Sequence, residues 1–157
     1  VNDTRRLFLK GAASAGVVSV AVGAGLLSPG RVLAMDWPQP AFDADNLDAT
    51  LQELFGDAES TESADIKVKA PDIAENGAVV PITVETGLTS VESISIIAEN
   101  NPAPLSASFV LASNAQGYVS TRIKMGKTSK VMAMVKADGK LYSASKEVKV
   151  TIGGCGG

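Results

Sequence analysis

From residue 66 onward the chain breaks into short stretches in which apolar side chains recur at every second position or run together, each closed by residues that favour turns. A period of two sends alternate side chains to opposite faces of an extended backbone, so each stretch predicts a strand with one face turned to a core. Seven such stretches occur, at 66–70, 78–85, 91–98, 105–112, 118–124, 130–137 and 141–152. Between them lie Glu75-Asn76-Gly77, Asn101-Pro102 with Pro104, Asn114 with Gly117, and Asp138-Gly139. Asp138-Gly139 is the clearest hairpin signal, because a two-residue primed turn needs positive φ at both positions. Pro81 has no N–H to give to a ladder, which predicts an edge or a bulge at that point of its strand. In the last stretch Tyr142, Ala144, Lys146, Val148 and Val150 share one parity, so one face there is imperfectly apolar.

Ahead of the strands the spacing becomes helical. Within 42–55 the apolar residues Leu47, Leu51, Leu54 and Phe55 fall on one face, with Asp43, Asp45 or Asn46 as the N-cap and Gly56 as the stop. Residues 57–64 are polar and read as a linker. One short helix followed by seven strands predicts an all-β fold, an immunoglobulin-like antiparallel β-sandwich at 65–152 preceded by a helix and linker at 35–64. A core of the disulfide-and-tryptophan kind is excluded, because there is one cysteine and Trp37 precedes the helix. Aromatic residues make up only 4% of the chain, so the core must rest on Val, Ile, Leu and Met. Met125, Met132 and Met134 accordingly read as packing or interface residues rather than ligands.

The first residues predict a compartment. Thr4-Arg5-Arg6-Leu7-Phe8-Leu9-Lys10 is a twin-arginine pattern, followed by an apolar run of 17 residues at 11–27 and by Val32-Leu33-Ala34. This predicts an export signal at 1–34, cleaved after Ala34, with Arg5 and Arg6 as its recognition pair and the periplasm as destination. The run is shorter than the roughly 20 residues of a spanning helix and rich in glycine, so no permanent membrane anchor is expected. The twin-arginine route carries folded proteins, which allows export with a partner already docked.

Cleavage would leave 123 residues, a size suited to one domain, with 10 bases against 16 acids. The charge is uneven: residues 36–99 hold 14 acids against Lys67 and Lys69, whereas from residue 100 onward Asp138 and Glu147 face eight bases. Arg122, Lys124 and Lys127 form a candidate anion-attracting set, suited to a small anionic substrate or an acidic partner. Solvated strand faces account for the same residues equally well. Overall acidity, and the lack of a basic patch interleaved with aromatics, argue against nucleic acid as a partner.

The only cysteine stands in Gly153-Gly154-Cys155-Gly156-Gly157. Gly153, Gly154, Gly156 and Gly157 carry no side-chain bulk and allow φ of either sign, so residues 153–157 are expected to form a flexible arm with Cys155 as its reactive or modified group. What the chain lacks narrows the chemistry. It has no histidine, which removes Ser-His-Asp and Cys-His arrangements and the usual general base. A single cysteine cannot make a Cys-x-x-Cys pair or a four-thiolate metal site, and no phosphate-binding glycine loop is present. An ordinary thiol titrates at about 8.5 and is only slightly ionised at neutral pH. No cofactor is expected. The chain reads as a covalent carrier acted on by other enzymes rather than as an enzyme.

Several segments resemble the SoxY family of thiosulfate-oxidation carrier subunits: residues 71–77 (Pro-Asp-Ile-Ala-Glu-Asn-Gly), 101–105 (Asn-Pro-Ala-Pro-Leu), 121–125 (Thr-Arg-Ile-Lys-Met) and 148–157, which ends in the Gly-Gly-Cys-Gly-Gly motif. The resemblance runs from about Trp37 to residue 157 and includes the twin-arginine signal. It implies a periplasmic heterodimer with SoxZ, both subunits β-sandwiches, in which Cys155 holds sulfur intermediates covalently. It further implies that a c-type cytochrome complex couples thiosulfate to the cysteine, that a sulfate-releasing hydrolase trims the adduct, and that a molybdenum-containing sulfane dehydrogenase oxidises the remainder.

Two other chemistries fit parts of the pattern. A Gly-Gly end also resembles ubiquitin-like sulfur carriers, which would place the modification on Gly157 and require ATP that export puts out of reach. Cys155 would alternatively serve only as an inter-chain disulfide tether. Prenylation fails on position, because Cys155 is third from the end.

Overall fold

Two faces of one sheet, each covered by a different layer, account for most of the architecture. The structure, a computed structural model, describes residues 37–151. The segment 1–34 with Arg5 and Arg6, and the segment 153–157 with Cys155, Gly153, Gly154, Gly156 and Gly157, lie outside the described residues. The elements are α1 (Gln39–Asp43), α2 (Leu47–Phe55) and nine described strands: β1 (Ser60–Glu62), β2 (Ile66–Lys69), β3 (Ile73–Ala74), β4 (Val80–Thr86), β5 (Val91–Ala98), β6 (Leu105–Val110), β7 (Tyr118–Ile123), β8 (Ser129–Ala137) and β9 (Lys140–Val150).

The larger sheet runs β1-β9-β8-β5-β6 with β3 also on β9, and the smaller runs β2-β4-β7. All seven expected strands are present, and the fold is an immunoglobulin-like β-sandwich. The strands differ from the expectation in two places. The stretch taken as a linker contains β1, and the turn region after β2 contains β3; both pair with β9 in parallel. Strand β9 is 11 residues long and would otherwise be a bare edge of the sheet, a template for unwanted pairing. Two short segments cover it instead.

Between the sheets, Ile82 and Val84 of β4, Ile94 and Ile96 of β5, Val131, Ala133 and Val135 of β8 and Val148 of β9 are fully buried. On the far face of the larger sheet, Ile97, Leu105, Met134 and Leu141 pack under Ala41, Phe42, Leu47, Leu51, Leu54 and Phe55 of the helical segment. This explains the uninterrupted run Ile94-Ser95-Ile96-Ile97-Ala98, every residue of which is buried: the strand is covered on both faces and has no solvent side to alternate toward. Each fully buried Ile contributes about 1.5 to 3 kcal/mol relative to exposure. Ser95 also points to the helical side, and its hydroxyl is 3.0 Å from that of Ser108. The methionines pack as expected: Met125 lies in the inter-sheet core, Met134 lies under the helices, and Met132 packs partly against that second cluster.

The expected single helix is two. Ala44 is extended, at ψ 138°, and separates α1 from α2. Asn46 is the cap that starts α2, its Oδ1 accepting from the Ala49 N–H at 2.8 Å, and the buried Thr50 hydroxyl donates to the Asn46 carbonyl. Gly56 ends the helix at φ 62°, its N–H donating to the Gln52 carbonyl. The β8–β9 hairpin has Asp138 at φ 49° and Gly139 at φ 70°, the positive pair that a primed turn requires. Pro81 lies on β4, the middle strand of the small sheet, yet β2 pairs only with residues 83–86 of it. At Pro81 the strand therefore has β7 alone beside it, through Arg122, and is locally an edge.

Candidate functional site

Cys155 lies outside the described residues, and the described chain nearest to it in sequence is the end of β9 up to Thr151, the root of that segment. The β8–β9 ladder reaches its end at Ser129 opposite Val148. The next three N–H groups of the chain each find a different acceptor. Lys149 donates to the Asp72 carbonyl at 3.0 Å, Val150 to the Thr128 hydroxyl at 3.0 Å, and Thr151 to the Ala74 carbonyl at 3.1 Å. A strand end with no such partners frays; this one is held on both sides up to the last described residue.

The two segments that hold it are themselves pinned. Lys146, half-buried on β9, donates to the Ala70 carbonyl at 2.6 Å and pairs with the Asp72 carboxylate at 3.0 Å, tying the β2–β3 connection to the sheet. Gly77 accepts from the Met125 N–H at 2.6 Å. A Cβ at Gly77 would sit 2.3 Å from the Met125 carbonyl oxygen and 2.9 Å from Val150 Cγ1, so only glycine lets these backbones meet. On the other side Asn101 donates through Nδ2 to the Lys124 carbonyl at 2.7 Å and accepts from the Gly126 N–H at 3.1 Å, bracing the loop that ends in Thr128.

That loop carries two of the three expected anion-attracting residues. Lys124 and Lys127 lie on it and are exposed. Arg122 lies on β7, exposed and opposite Pro81. Among the described residues none of the three makes an ion pair. Lys130 and Lys149 add charge at this end, but Asp72, Glu75 and Glu99 share it and Glu147 stands opposite Lys130 on β9, so the field at the root is mixed rather than uniformly positive. An open groove of about 510 Å³ lies beside the loop, lined by Asn101, Pro102, Ala103, Ser106, Lys124 and Gly126.

The described residues contain no group of three His, Cys, Asp or Glu side chains placed to hold a metal ion. Among the described residues the one clearly perturbed carboxylate is at the opposite end of the sandwich. Glu92 accepts from the Gly139 N–H at 2.8 Å and pairs with Lys136 at 3.0 Å, which together hold its carboxyl below the usual range. It clamps the hairpin turn, a structural task. Thr128, Gly77 and Lys146 escape the sequence reading: Glu75-Asn76-Gly77 carries only the signal of a turn, and nothing local marks Thr128 as the acceptor for a strand 22 residues away.

Comparison with known proteins places this geometry. The family model of the sulfur oxidation protein SoxY matches residues 51–155, a span that ends on Cys155. Among solved structures, the sulfur carrier protein SoxY from Chlorobium limicola f thiosulfatophilum is 45% identical, with a TM-score of 0.62, over 68% of this chain and 97% of that one. A superoxide reductase (neelaredoxin) from Ignicoccus hospitalis has 20% identity and a TM-score of 0.49, over 55% of this chain and 80% of that one. No curated protein matches the chain.

Proposed function

The chain belongs to the SoxY family of sulfur oxidation proteins, and from that membership we propose that it is a covalent carrier of thiosulfate-derived sulfur, with Cys155 as the attachment point. The observation that carries this reading is that the family match runs through the chain's only cysteine. Sulfur chemistry supports it. A thiol is the one side chain that forms further sulfur–sulfur bonds and persists as tethered persulfide and oxidised forms until cleaved.

In the proposed cycle the Cys155 Sγ bonds to the sulfane sulfur of thiosulfate as the thiol proton and two electrons leave, the electrons passing to a c-type cytochrome complex. Water then cleaves the bond to the sulfonate group on a sulfate-releasing hydrolase, giving sulfate and leaving a persulfide on Cys155. A sulfane dehydrogenase oxidises the outer sulfur of the persulfide to a sulfonate with oxygen from water, the electrons passing to a c-type cytochrome. Hydrolysis then releases it as a second sulfate and restores the Cys155 thiol. The chain itself supplies the tether: Gly153, Gly154, Gly156 and Gly157 make a narrow, swinging arm that enters partner enzymes while the sandwich stays outside. We further propose the periplasm as its location, reached by the twin-arginine signal at Arg5 and Arg6, and SoxZ as its heterodimer partner. Lys124 and Lys127 lie beside the arm's root and would favour approach of an anion, with Arg122 further out on β7.

The test is Cys155→Ser. Sulfur loading from thiosulfate, followed by mass, is expected to disappear while the thermal unfolding transition stays within error of wild type. Thiosulfate-dependent loading that survives in the variant removes the carrier role from Cys155, and a mass increment on Gly157 would instead favour a thiocarboxylate.

A further inference from the structure

We infer that Thr128, together with the backbone of residues 72–74, is a positioning device that fixes where the sulfur-carrying arm begins, and that Thr128 acts on partner reactions through the root of the arm rather than through sulfur. The inference rests on the carrier reading of Cys155. Its physical basis is independent of it. Pairing of β9 with β8 stops at Val148, while β3 continues on the other side opposite Lys149 and Val150. The three N–H groups that follow are captured by Asp72, Thr128 and Ala74 in turn, with Thr128 taking over on the side that β8 leaves. Alternate capture leaves residues 149–151 no freedom to swing to either side. Three separate stretches of chain, at 70–77, 99–101 and 124–128, converge to produce it.

The consequence is a defined lever. With the root held at Thr151, four residue steps separate it from Cys155, a reach of about 14 Å at roughly 3.4 Å per residue. Releasing residues 149–151 would add about 10 Å of slack and widen the cone through which the sulfur travels. A wider cone lowers the fraction of arms directed into a partner's entrance at any moment. Apparent affinity falls in proportion to the competent fraction, while the chemical step after insertion is unchanged.

The isosteric substitution Thr128→Val removes the acceptor for the Val150 N–H and keeps the volume. Thr128→Ser keeps the hydroxyl. In the full chain, amide exchange at Val150 is expected to be at least tenfold faster in Thr128→Val and within twofold of wild type in Thr128→Ser. With the enzyme that loads the carrier from thiosulfate, Thr128→Val is expected to raise the KM for the carrier three- to tenfold at unchanged kcat, and Thr128→Ser to restore it. Unchanged exchange at Val150 would overturn the clamp. Faster exchange with an unchanged KM, or a fall in kcat alone, would overturn the positioning role. A wild-type chain that takes up no sulfur would overturn the carrier reading and this role with it, a failure recognisable because the exchange contrast between the valine and serine variants would still be present.

Discussion

Gly77→Ala tests the close approach of residues 77, 125 and 150 beside the end of β9. The added methyl carbon would lie 2.3 Å from the Met125 carbonyl oxygen, a backbone atom, and 2.9 Å from Val150 Cγ1. Valine's methyl can turn away; the carbonyl moves only with the backbone of the loop that Asn101 braces. Overpacking of this kind costs about 1 to 3 kcal/mol. Separating the two backbones also stretches the bond from the Met125 N–H to the Gly77 carbonyl, worth about 1 kcal/mol. The expected loss is therefore about 2 to 4 kcal/mol, which in a domain of this size lowers Tm by roughly 8 to 16 °C. Gly126→Ala is the matched control. A Cβ there meets nothing within 4 Å and the backbone has no positive φ, so stability should stay within about 0.5 kcal/mol of wild type or rise slightly. Urea unfolding of both variants at neutral pH decides the matter. A loss below about 0.5 kcal/mol in Gly77→Ala, or equal losses in the two, would refute the contact between residues 77, 125 and 150.

Two further outcomes follow from the layers and from Glu92. Met134→Ala, at a fully buried position under the helices, should cost about 3 kcal/mol, and Met132→Ala, only partly buried on the same face, about half as much; the reverse order in urea unfolding would contradict the helical cover of the larger sheet. The lowered pKa of Glu92 means that the folded state binds its proton less readily than the unfolded state, so its stabilising effect is present above the ordinary carboxylate range and is lost as acid titrates the folded form. The stability difference between wild type and Glu92→Gln should then be complete at neutral pH and shrink as the pH falls below the usual glutamate value, and a difference that stays constant down to about pH 3 would show that the carboxylate does not clamp Gly139.

The seven longer strands are legible in the sequence because alternation and turn chemistry agree there: Asp138-Gly139 marks its hairpin, and Pro81 its local edge. The two short parallel strands are not. Ser60-Thr61-Glu62 is wholly exposed and Ile73-Ala74 only two residues long, so neither has a periodicity to read. They form because β9 offers an edge, which is a property of the assembled sheet. The break at Ala44 is hidden for a related reason. Phe42 and Leu47 both pack into the helical cluster, so the apolar spacing continues across an interruption that the Asn46 cap imposes. At the site, Cys155 is conspicuous as the only cysteine among glycines. The groups that hold its root are ordinary in isolation, a threonine and a turn glycine, and acquire their role from contacts 22 and 73 residues distant in the chain.

The most direct test of the carrier role is the intact mass of the protein, before and after mild thiol reduction, from cells grown with and without thiosulfate. The account predicts a thiosulfate-dependent increment on Cys155 that reduction removes. Bare thiol under both growth conditions would contradict it, and a simple disulfide under both would contradict it in favour of Cys155 as a tether between chains.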